Sequence, residues 1–382
     1  MKMLYLDHAA TTPLASEVLE AMTPFHTEHY GNPNSLHQAG RATRRAIDTA
    51  RAEVAKLISA EPFQIIFTGG GTAADNLAIK GVAESRKAHG RHIITSTIEH
   101  PAILNACRWL ETQGFEVSYI NVDQHAQLDP EAIKNALRDD TILVSLMLGN
   151  NEVGTLQPLV SIGQFLKNHQ AYFHTDAVQA IGHLPLNVDE LGVDLLSMTG
   201  HKFYGPKGVG ALYVRDEIEL EPILHGGGQE RNIRSGTENI AGIVGLGAAA
   251  KLSRVTMDET QTRISALRDH LISETLHKVE RSHLLGHPTD RLPGSASFGF
   301  EQLMGESLLL KLDMEGICVS TGSACSSGHM DPSHVLMAMG LSNELANGSV
   351  RITLGRSTTD QDIDRVLDIL PDAVAQVRKM AF

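Results

Sequence analysis

The sequence predicts an α/β protein with a mostly parallel sheet covered by helices on both faces, followed by a smaller α+β domain. Strand-like and helical segments alternate through the first two thirds of the 382 residues. Several strand-like segments are short and continuously apolar, as is typical of buried parallel strands. After residue 251 this alternation is replaced by one long amphipathic helix and then by single strands and helices. These observations predict two domains of unequal size.

The elements of the larger domain alternate in a regular order. A helix over 41–58 has apolar residues at helical spacing, and a buried strand over 64–68 follows it. The later predicted elements are a helix from about 73, a strand over 92–96, a helix through 109, a strand over 117–122, a helix after 130, and strands over 141–147, 171–175 and 193–196. Because parallel strands end at one edge of a sheet, we expect the residues that follow them to share a crevice.

The last third of the chain predicts the smaller domain. Its long helix has apolar residues at three-to-four spacing from Ile264 to Leu276, and the final helix begins with a capping segment at 358–362. We assign residues 13–250 to the large domain and residues 1–12 and 251–382 to the small one. The first twelve residues are expected to join the small domain or to lie across the cleft.

The composition limits the classes of function. The chain is 42% hydrophobic and 20% charged, with a formal net charge of −13. This charge repels polyanions and argues against direct binding to nucleic acid or to an anionic membrane. The N-terminal residues have the pattern of neither a signal peptide nor a transit peptide, and we expect no membrane-spanning helix. A cytoplasmic protein is therefore predicted.

The three cysteines have different contexts. Cys107 and Cys318 lie in apolar helical and strand-like segments, typical of buried small hydrophobic residues. Cys325 lies among serine, glycine and alanine with little to pack, so we expect a mobile loop over about 320–332. A thiol on such a loop suits a nucleophile, and an incidental loop cysteine is the alternative. No paired cysteine or histidine spacing predicts a metal site.

A lysine and an aspartate follow two of the strand-like runs. Lys202 comes after the run ending near Thr199, and Asp176 ends the run that begins at 171. A lysine there can form a Schiff base with the aldehyde of pyridoxal phosphate, and a buried carboxylate can keep the pyridine nitrogen protonated. Thr199 and His201 are small polar neighbours that can bind the phosphate. Taken singly, these residues could be a solvated lysine and a strand-end cap, but the combination favours pyridoxal phosphate.

The glycine run at 68–72 joins a strand to a helix and predicts an anion site. Backbone N–H groups near Gly71 and the helix dipole would bind phosphate, with the Thr72 hydroxyl as an added donor. The run also fits the dinucleotide fingerprint G-x-G-x-x-A, but the next strand lacks an acidic residue at the expected distance. A bare structural turn is the third interpretation.

Further polar residues are candidates for the same crevice. His100 can stack on a pyridine ring and move protons, or only cap a helix. Asn151 and Gln179 can reach the phenolic oxygen of the cofactor or the substrate, or be turn residues. Arg351 lies in a strand-like run, where an arginine needs an anionic partner such as the carboxylate of an amino acid. Arg356 is the competitor for that role.

A second glycine-rich segment, at 225–239, predicts a loop that approaches another surface closely. Ser235 and Thr237 can donate hydrogen bonds to phosphate from this loop. A flexible linker is the alternative.

The motifs together resemble those of the cysteine desulfurases, pyridoxal phosphate enzymes of the class V aminotransferase group with the aspartate aminotransferase fold type. The matching motifs are YLDHAATTP at 5–13, GNPNSLH at 31–37, FTGGGT at 67–72, EH at 99–100, NNE at 150–152, DAVQ at 176–179, GHK at 200–202, RSGT at 234–237 and GSAC at 322–325. They occur in family order over most of the chain. The Cys325 loop is similar to the branch whose long mobile loop passes sulfur to many acceptors.

The resemblance implies a seven-stranded sheet and a role for each matching residue. Lys202 would hold the cofactor, Asp176 would pair with the pyridine nitrogen, and His100 would stack on the ring and take part in catalysis. Arg351, with Asn151, would bind the substrate. The implied phosphate contacts are Gly71, Thr72, Thr199 and His201, with Thr237 from the neighbouring subunit of a homodimer, and the implied phenolic-oxygen contacts are Asn151 and Gln179.

The implied reaction removes sulfur from L-cysteine, releases L-alanine and leaves a persulfide on Cys325, which serves acceptors in iron–sulfur cluster assembly or tRNA thiolation. An aminotransferase or a selenocysteine lyase is the rival within pyridoxal phosphate chemistry, and a non-catalytic scaffold of a sulfur pathway is the rival from another class. Thr199 stands where a serine is common, and no long tail follows the last helix to dock a scaffold partner. The resemblance therefore leaves the acceptor open.

Overall fold

A computed structural model of the chain describes residues 3–321 and 332–380. The strands are β1 (Leu4–Tyr5), β2 (Ile65–Thr68), β3 (His92–Ser96), β4 (Glu116–Ile120), β5 (Thr141–Ser145), β6 (Tyr172–Asp176), β7 (Leu195–Thr199), β8 (Gly210–Val214), β9 (Ser282–Leu285), β10 (Ser295–Phe300), β11 (Ile317–Cys318) and β12 (Ser349–Thr353). The α-helices are α1 (Ser16–Met22), α2 (Pro24–Thr27), α3 (Gln38–Leu57), α4 (Gly71–Arg86), α5 (Pro101–Thr112), α6 (Pro130–Ala136), α7 (Leu159–Leu166), α8 (Val188–Leu191), α9 (Ile240–Lys278), α10 (Gly305–Met314), α11 (His334–Ala338), α12 (Asn343–Asn347) and α13 (Asp360–Met380).

The main sheet has seven strands within the described ranges, in the order β2-β8-β7-β6-β5-β3-β4. Neighbouring strands from β4 to β7 pair in parallel, and β8 pairs antiparallel with both β7 and β2. The predicted fold class is confirmed. Strand β8 was missed, because its few apolar residues follow the glycine-rich turn after Lys202 without a helix between them.

Helices cover both faces of this sheet. Successive strand residues point to opposite faces, so Leu195 packs in the cluster with α4 and α5, while Leu196 packs in the cluster with α3, α7 and α9. In β5, Leu143 likewise packs in the cluster with α4 and α5, and Val144 packs in the cluster with α3, α7 and α9. This two-sided burial explains the continuous apolar runs that predicted the strands. The strand order reverses beside β5, which is where open α/β sheets form their sites.

Helix α9 is 39 residues long and begins at Ile240, so the predicted start after residue 251 is wrong. Its first half packs closely: a Cβ on Gly245 would lie 2.6 Å from the Met22 sulfur, and one on Gly247 would lie 2.6 Å from the Ala50 Cα. By length and composition α9 could span a membrane, contrary to the sequence expectation, and 56% of its apolar window is buried inside the protein. The described contacts are those of a core helix.

The C-terminal third forms a second core. A three-stranded antiparallel sheet, β12-β10-β9, and the parallel pair β1-β11 pack with α10, α13 and the second half of α9. The first twelve residues were expected to join the small domain or to lie across the cleft. Leu4 and Leu6 enter the core of the small domain, and the Thr12 N–H donates to the His201 carbonyl across the cleft at 2.8 Å. The division at residues 12 and 250 stays a prediction; separate cores support it, although residue 250 lies inside α9.

Candidate active site

Polar residues at the carboxyl ends of the parallel strands surround one cavity of about 230 Å³. The lining residues include most of the predicted set: Gly71, Thr72, His100, Asn151, Asp176, Gln179, Thr199, His201, Lys202 and Arg351. Ala9 and Ala10 of the N-terminal segment close one side. Thr237 is exposed and does not line the cavity, and Cys325 lies outside the described residues. No group of three or more His, Cys, Asp or Glu residues that could hold a metal occurs within 3–321 and 332–380.

The Lys202 amine is held at the cavity by the N-terminal segment. A short 3₁₀ turn, Gly200–Lys202, follows β7 directly and brings the lysine to the end of the strand. Its Nζ donates to the carbonyl oxygens of Ala9 at 2.5 Å and Ala10 at 2.9 Å. Gln179 donates to the same Ala9 oxygen at 3.0 Å. The N-terminal segment therefore orients the amine and the amide together.

Asp176 ends β6 with its carboxyl group buried in the cavity wall. One oxygen accepts the Val178 N–H at 2.9 Å, which fixes the side chain. Burial raises the pKa of Asp176, while this hydrogen bond and the positive charge of Lys202 act in the opposite direction, as a protonated His100 would. A protonated ring nitrogen beside Asp176 would add a further charge that favours the ionised form.

His100 is both a helix cap and a cavity residue, so its two interpretations are compatible. It precedes α5, and its Nδ1 accepts the Ala102 N–H at 3.1 Å. Burial lowers the pKa of His100, with the charge of Asp176 opposing this effect. A neutral ring whose Nδ1 accepts carries its proton on Nε2. His100 can therefore present a proton donor to the cavity.

The N-terminus of α4 opens into the cavity at Gly71. No side chain caps this helix, which leaves N–H groups of its first turn available to an anion. A Cβ on Gly71 would lie 2.9 Å from Val178 Cγ2, so glycine keeps the approach open. The Thr199 hydroxyl donates to the Val209 carbonyl at 3.1 Å, and its phosphate contact stays a prediction. Burial lowers the pKa of His201 to about 4, which makes it a neutral neighbour.

Arg351 of β12 supplies the guanidinium of the cavity. It is 4% exposed, its Nη1 donates to the Asn151 carbonyl at 2.7 Å, and its Nη2 pairs with Asp7 Oδ1 at 2.7 Å. Its Nε has no hydrogen-bond partner among the described residues. Arg356 points elsewhere: it lies 5.4 Å from the Tyr204 ring centroid and pairs with Glu17 at 3.5 Å. The structure therefore assigns the cavity position to Arg351.

The turn after β5 separates two neighbouring asparagines. Asn150 is fully buried, and its Oδ1 accepts the N–H groups of Glu152 at 2.9 Å and Val153 at 3.0 Å. Asn150 is thus a turn residue, whereas Asn151 lines the cavity. This arrangement also holds the Asn151 carbonyl where Arg351 binds it.

Known proteins resemble the whole chain. The profile of the family "Aminotransferase class-V" matches residues 4–366. The cysteine desulfurase IscS of Methanosarcina thermophila is 52% identical over 380 residues, which cover 100% of this chain and 94% of that protein. This chain belongs to the cysteine desulfurases of the class-V aminotransferase family.

Two solved structures agree with the assignment to the cysteine desulfurases. A NifS-like protein matches with a TM-score of 0.92 and 37% identity, covering 98% of this chain and 100% of that one. SspA, whose structure was solved in complex with cysteine, matches with a TM-score of 0.82 and 36% identity over 93% of this chain and 100% of its own. The sequence expectation of the fold and of the activity is thereby confirmed.

Cysteine desulfurases use pyridoxal 5′-phosphate, and the residues of this cavity fit that cofactor. Lys202 and Asp176 both line the cavity. The uncapped first turn of α4 provides N–H groups for the phosphate, and the missing Cβ of Gly71 leaves room for it. The cavity therefore offers an amine for the aldehyde of the cofactor, a carboxyl group for its ring nitrogen and backbone N–H groups for its phosphate.

Some residues of this desulfurase site were missed by sequence reasoning. Asp75, buried on α4, lines the cavity, and Asp7 is the ion-pair partner of Arg351. An aspartate on the otherwise apolar inner face of a helix was the available signal for Asp75. Asp7 lies in the motif at 5–13, but its pairing with Arg351 was not predicted, because the two residues are 344 positions apart in the chain.

We expect the Arg351→Ala variant to raise KM for L-cysteine about 10- to 100-fold, because a hydrogen bond to a charged group contributes about 1.5–3 kcal/mol and 1.4 kcal/mol is tenfold. Arg351→Lys should recover part of the loss, since lysine keeps the charge without the planar fork. Steady-state kinetics measure both. Arg356→Ala is the matched control and should leave KM unchanged; an equal rise there would contradict the assignment.

Proposed function

We propose that this cysteine desulfurase transfers the sulfur atom of L-cysteine to the thiol of Cys325, releasing L-alanine. The substrate C–S bond breaks, a bond forms between the two sulfur atoms, and the products are L-alanine and a persulfide on Cys325. One observation carries the proposal: the amine of Lys202, the carboxyl group of Asp176 and the guanidinium of Arg351 line a single cavity. These are the groups needed to hold an aldehyde cofactor and an amino acid together.

When bound, pyridoxal 5′-phosphate supplies an electron sink for the carbon next to the substrate amine. Arg351 binds the substrate carboxylate and so orients the amino acid. The Lys202 amine accepts the proton of the substrate α-carbon and later gives it up again within the cavity. Asp176 keeps the ring nitrogen of the cofactor protonated. His100 takes part in the later proton transfers as an acid or a base.

The properties of the other two cysteines support Cys325 as the sulfur carrier. Cys107 is fully buried, and burial raises the pKa of its thiol to about 12. Cys318 lies in β11, paired with Tyr5, and burial also raises its pKa. A thiol whose pKa is raised is a poor nucleophile at neutral pH, because the thiolate is the reactive form.

The described flanks of the Cys325 segment also support this role. On one side Ser320 and Arg351 exchange backbone hydrogen bonds of 3.1 and 2.7 Å. On the other side Ser333 donates to the Glu152 carboxylate, and the His334 ring bonds the Glu99 carbonyl at 3.0 Å. Both flanks are thus attached to strands or turns that carry cavity residues.

We further propose a homodimer in which Thr237 contacts the phosphate held by the partner subunit. Thr237 is exposed and lies away from its own cavity. Large exposed apolar side chains occur near its loop: Tyr30 is 77% exposed, Leu36 is 89% exposed and Leu224 is 51% exposed. Arg44 joins these parts by bonding both Asn34 and Glu238. Large exposed apolar side chains of this kind are typical of a subunit interface.

We expect Thr237→Ala to weaken the affinity for pyridoxal 5′-phosphate about 10- to 100-fold, as the loss of one hydrogen bond to a charged group implies. Sedimentation should still detect a dimer, because a single hydroxyl does not decide the interface. Thr237→Ser keeps the hydroxyl and should retain the affinity. A monomer that binds the cofactor as tightly as the dimer would contradict the shared site.

The acceptors of the sulfur are proposed to be proteins of iron–sulfur cluster assembly or tRNA thiolation in the cytoplasm. The net charge of −13 supports acceptor proteins, rather than direct contact with nucleic acid, as the recipients.

One assay tests the proposed reaction. The purified protein with bound cofactor is incubated with L-cysteine, and alanine, sulfide released by reductant and the mass of the peptide carrying Cys325 are measured. We expect alanine and sulfide in equal amounts and a gain of one sulfur atom on that peptide. Alanine formation without the added sulfur would remove Cys325 from the route.

A further inference from the structure

Asp75 is a buried carboxyl group of the cofactor cavity to which the proposed reaction gives no role. It lies in the second turn of α4, is 1% exposed and lines the same cavity as Asp176. Its Oδ1 has no hydrogen-bond partner among the described residues. A buried ionised carboxylate without such a partner is costly, so the protonation state of Asp75 has consequences for the site.

The neighbours of Asp75 on β6 and β7, His174 and Ser197, are uncharged. Its Oδ1 lies 3.9 Å from His174 Nε2 on β6. Both nitrogens of that ring are bonded to hydroxyls, those of Ser145 and Ser197, at 2.9 Å, and burial lowers its pKa to about 3. His174 is therefore neutral. The β7 neighbour is the uncharged Ser197, whose hydroxyl bonds His174 Nε2 at 2.9 Å. Ser197 lowers the pKa of Asp75, but burial and the charge of Asp176 raise it by more.

The other charged groups of the cavity act on Asp176 instead. The charge of Lys202 and the Val178 N–H at 2.9 Å stabilise the ionised form of Asp176, and a protonated His100 would add to this. Glu99, between β3 and α5, is a third buried carboxyl group, and burial raises its pKa to about 8. Neighbouring carboxylates in a low-dielectric site cannot all ionise at low cost, so the proton remains on the groups with the weakest support.

We propose that Asp75 is a positioning residue that stays protonated, so that the negative charge beside the ring nitrogen rests on Asp176 alone. The proposal rests on the cofactor site described under the proposed function. Burial first, and the charge of Asp176 second, raise the pKa of Asp75 well above the usual range for aspartate. With Asp75 neutral, one carboxylate faces one protonated ring nitrogen.

Infrared spectroscopy of the protein without cofactor tests the protonation state directly. At neutral pH the wild type should have a carbonyl band of protonated carboxylic acids that shifts in heavy water, and Asp75→Asn should lack one component of it. Glu99→Gln is the matched control and should remove a different component. An unchanged band in Asp75→Asn would overturn the proposal. This result does not depend on the cofactor, so it is separable from a failure of the proposed function.

A pH titration of the visible absorption of the bound cofactor tests the role. Asp75→Asn imitates the neutral acid, and its midpoint should stay within about 0.3 unit of the wild type. A shift of about 1–3 units, as expected for loss of a nearby charge, would mean that Asp75 is ionised and would overturn the proposal. Asp176→Asn should shift the midpoint and so validates the assay.

Affinity for the cofactor distinguishes positioning from packing. Asp75→Ala removes the polar group from the cavity wall and should weaken the affinity about five- to tenfold. Asp75→Asn keeps a neutral polar group of the same size and should retain the affinity. Equal losses in the two variants would indicate a different role and contradict the proposal.

Discussion

Replacing Lys202 by alanine is expected to abolish the visible absorption of the bound cofactor and to lower alanine formation from L-cysteine about 10²- to 10⁴-fold. The physical reason is that one amine performs two tasks in this site. It attaches the cofactor aldehyde, and it moves the α-proton of the substrate. The carbonyls of Ala9 and Ala10 hold this amine at 2.5 and 2.9 Å in a position that water or another side chain does not reproduce.

One further measurement and one control variant accompany Lys202→Ala. Thermal unfolding of the protein without cofactor should change little, because Lys202 is half-buried and its loss leaves no large cavity. Lys251→Ala is the matched control, since Lys251 is exposed on α9 and far along the chain from the site; it should keep both the absorption and the activity. A Lys202→Ala variant that keeps the band would disprove the attachment of the cofactor at this residue.

Replacing Cys325 by serine is expected to lower the formation of alanine and sulfide at least about 10²-fold, because a hydroxyl does not accept a sulfur atom as a thiolate does. The spectral change that L-cysteine produces on binding should persist, since Lys202, Asp176 and Arg351 are intact. The combination of retained binding and lost turnover distinguishes a sulfur carrier from a residue that only maintains the site.

Cys318→Ser is the matched control for this experiment. Its thiol lies in β11, and burial raises its pKa, so the replacement should leave sulfur transfer close to the wild-type rate. Sulfide release by Cys325→Ser at the wild-type rate would instead support direct release of sulfide, as in a lyase. Mass measurement of the peptide carrying residue 325 separates these two routes.

The sequence predicted well those elements whose buried residues form a regular pattern along the chain. Strand β3 was predicted with its actual bounds, and the strand, glycine run and helix around Gly71 were predicted in the correct order. Helix α9 was predicted only from its amphipathic second half. Its first half is buried on most sides, so a contrast between polar and apolar faces is lacking there.

The amino-acid sequence by itself determined the parallel sheet, the placement of Lys202, Asp176 and His100 after strands, and the likeness to the cysteine desulfurases, because these depend on local patterns. The tertiary structure alone decided that Arg351 and not Arg356 enters the cavity. It also decided that Asp75 joins Asp176 there. Contacts between residues that are distant along the chain arise from the packing of whole strands and helices, and a local sequence pattern does not specify them.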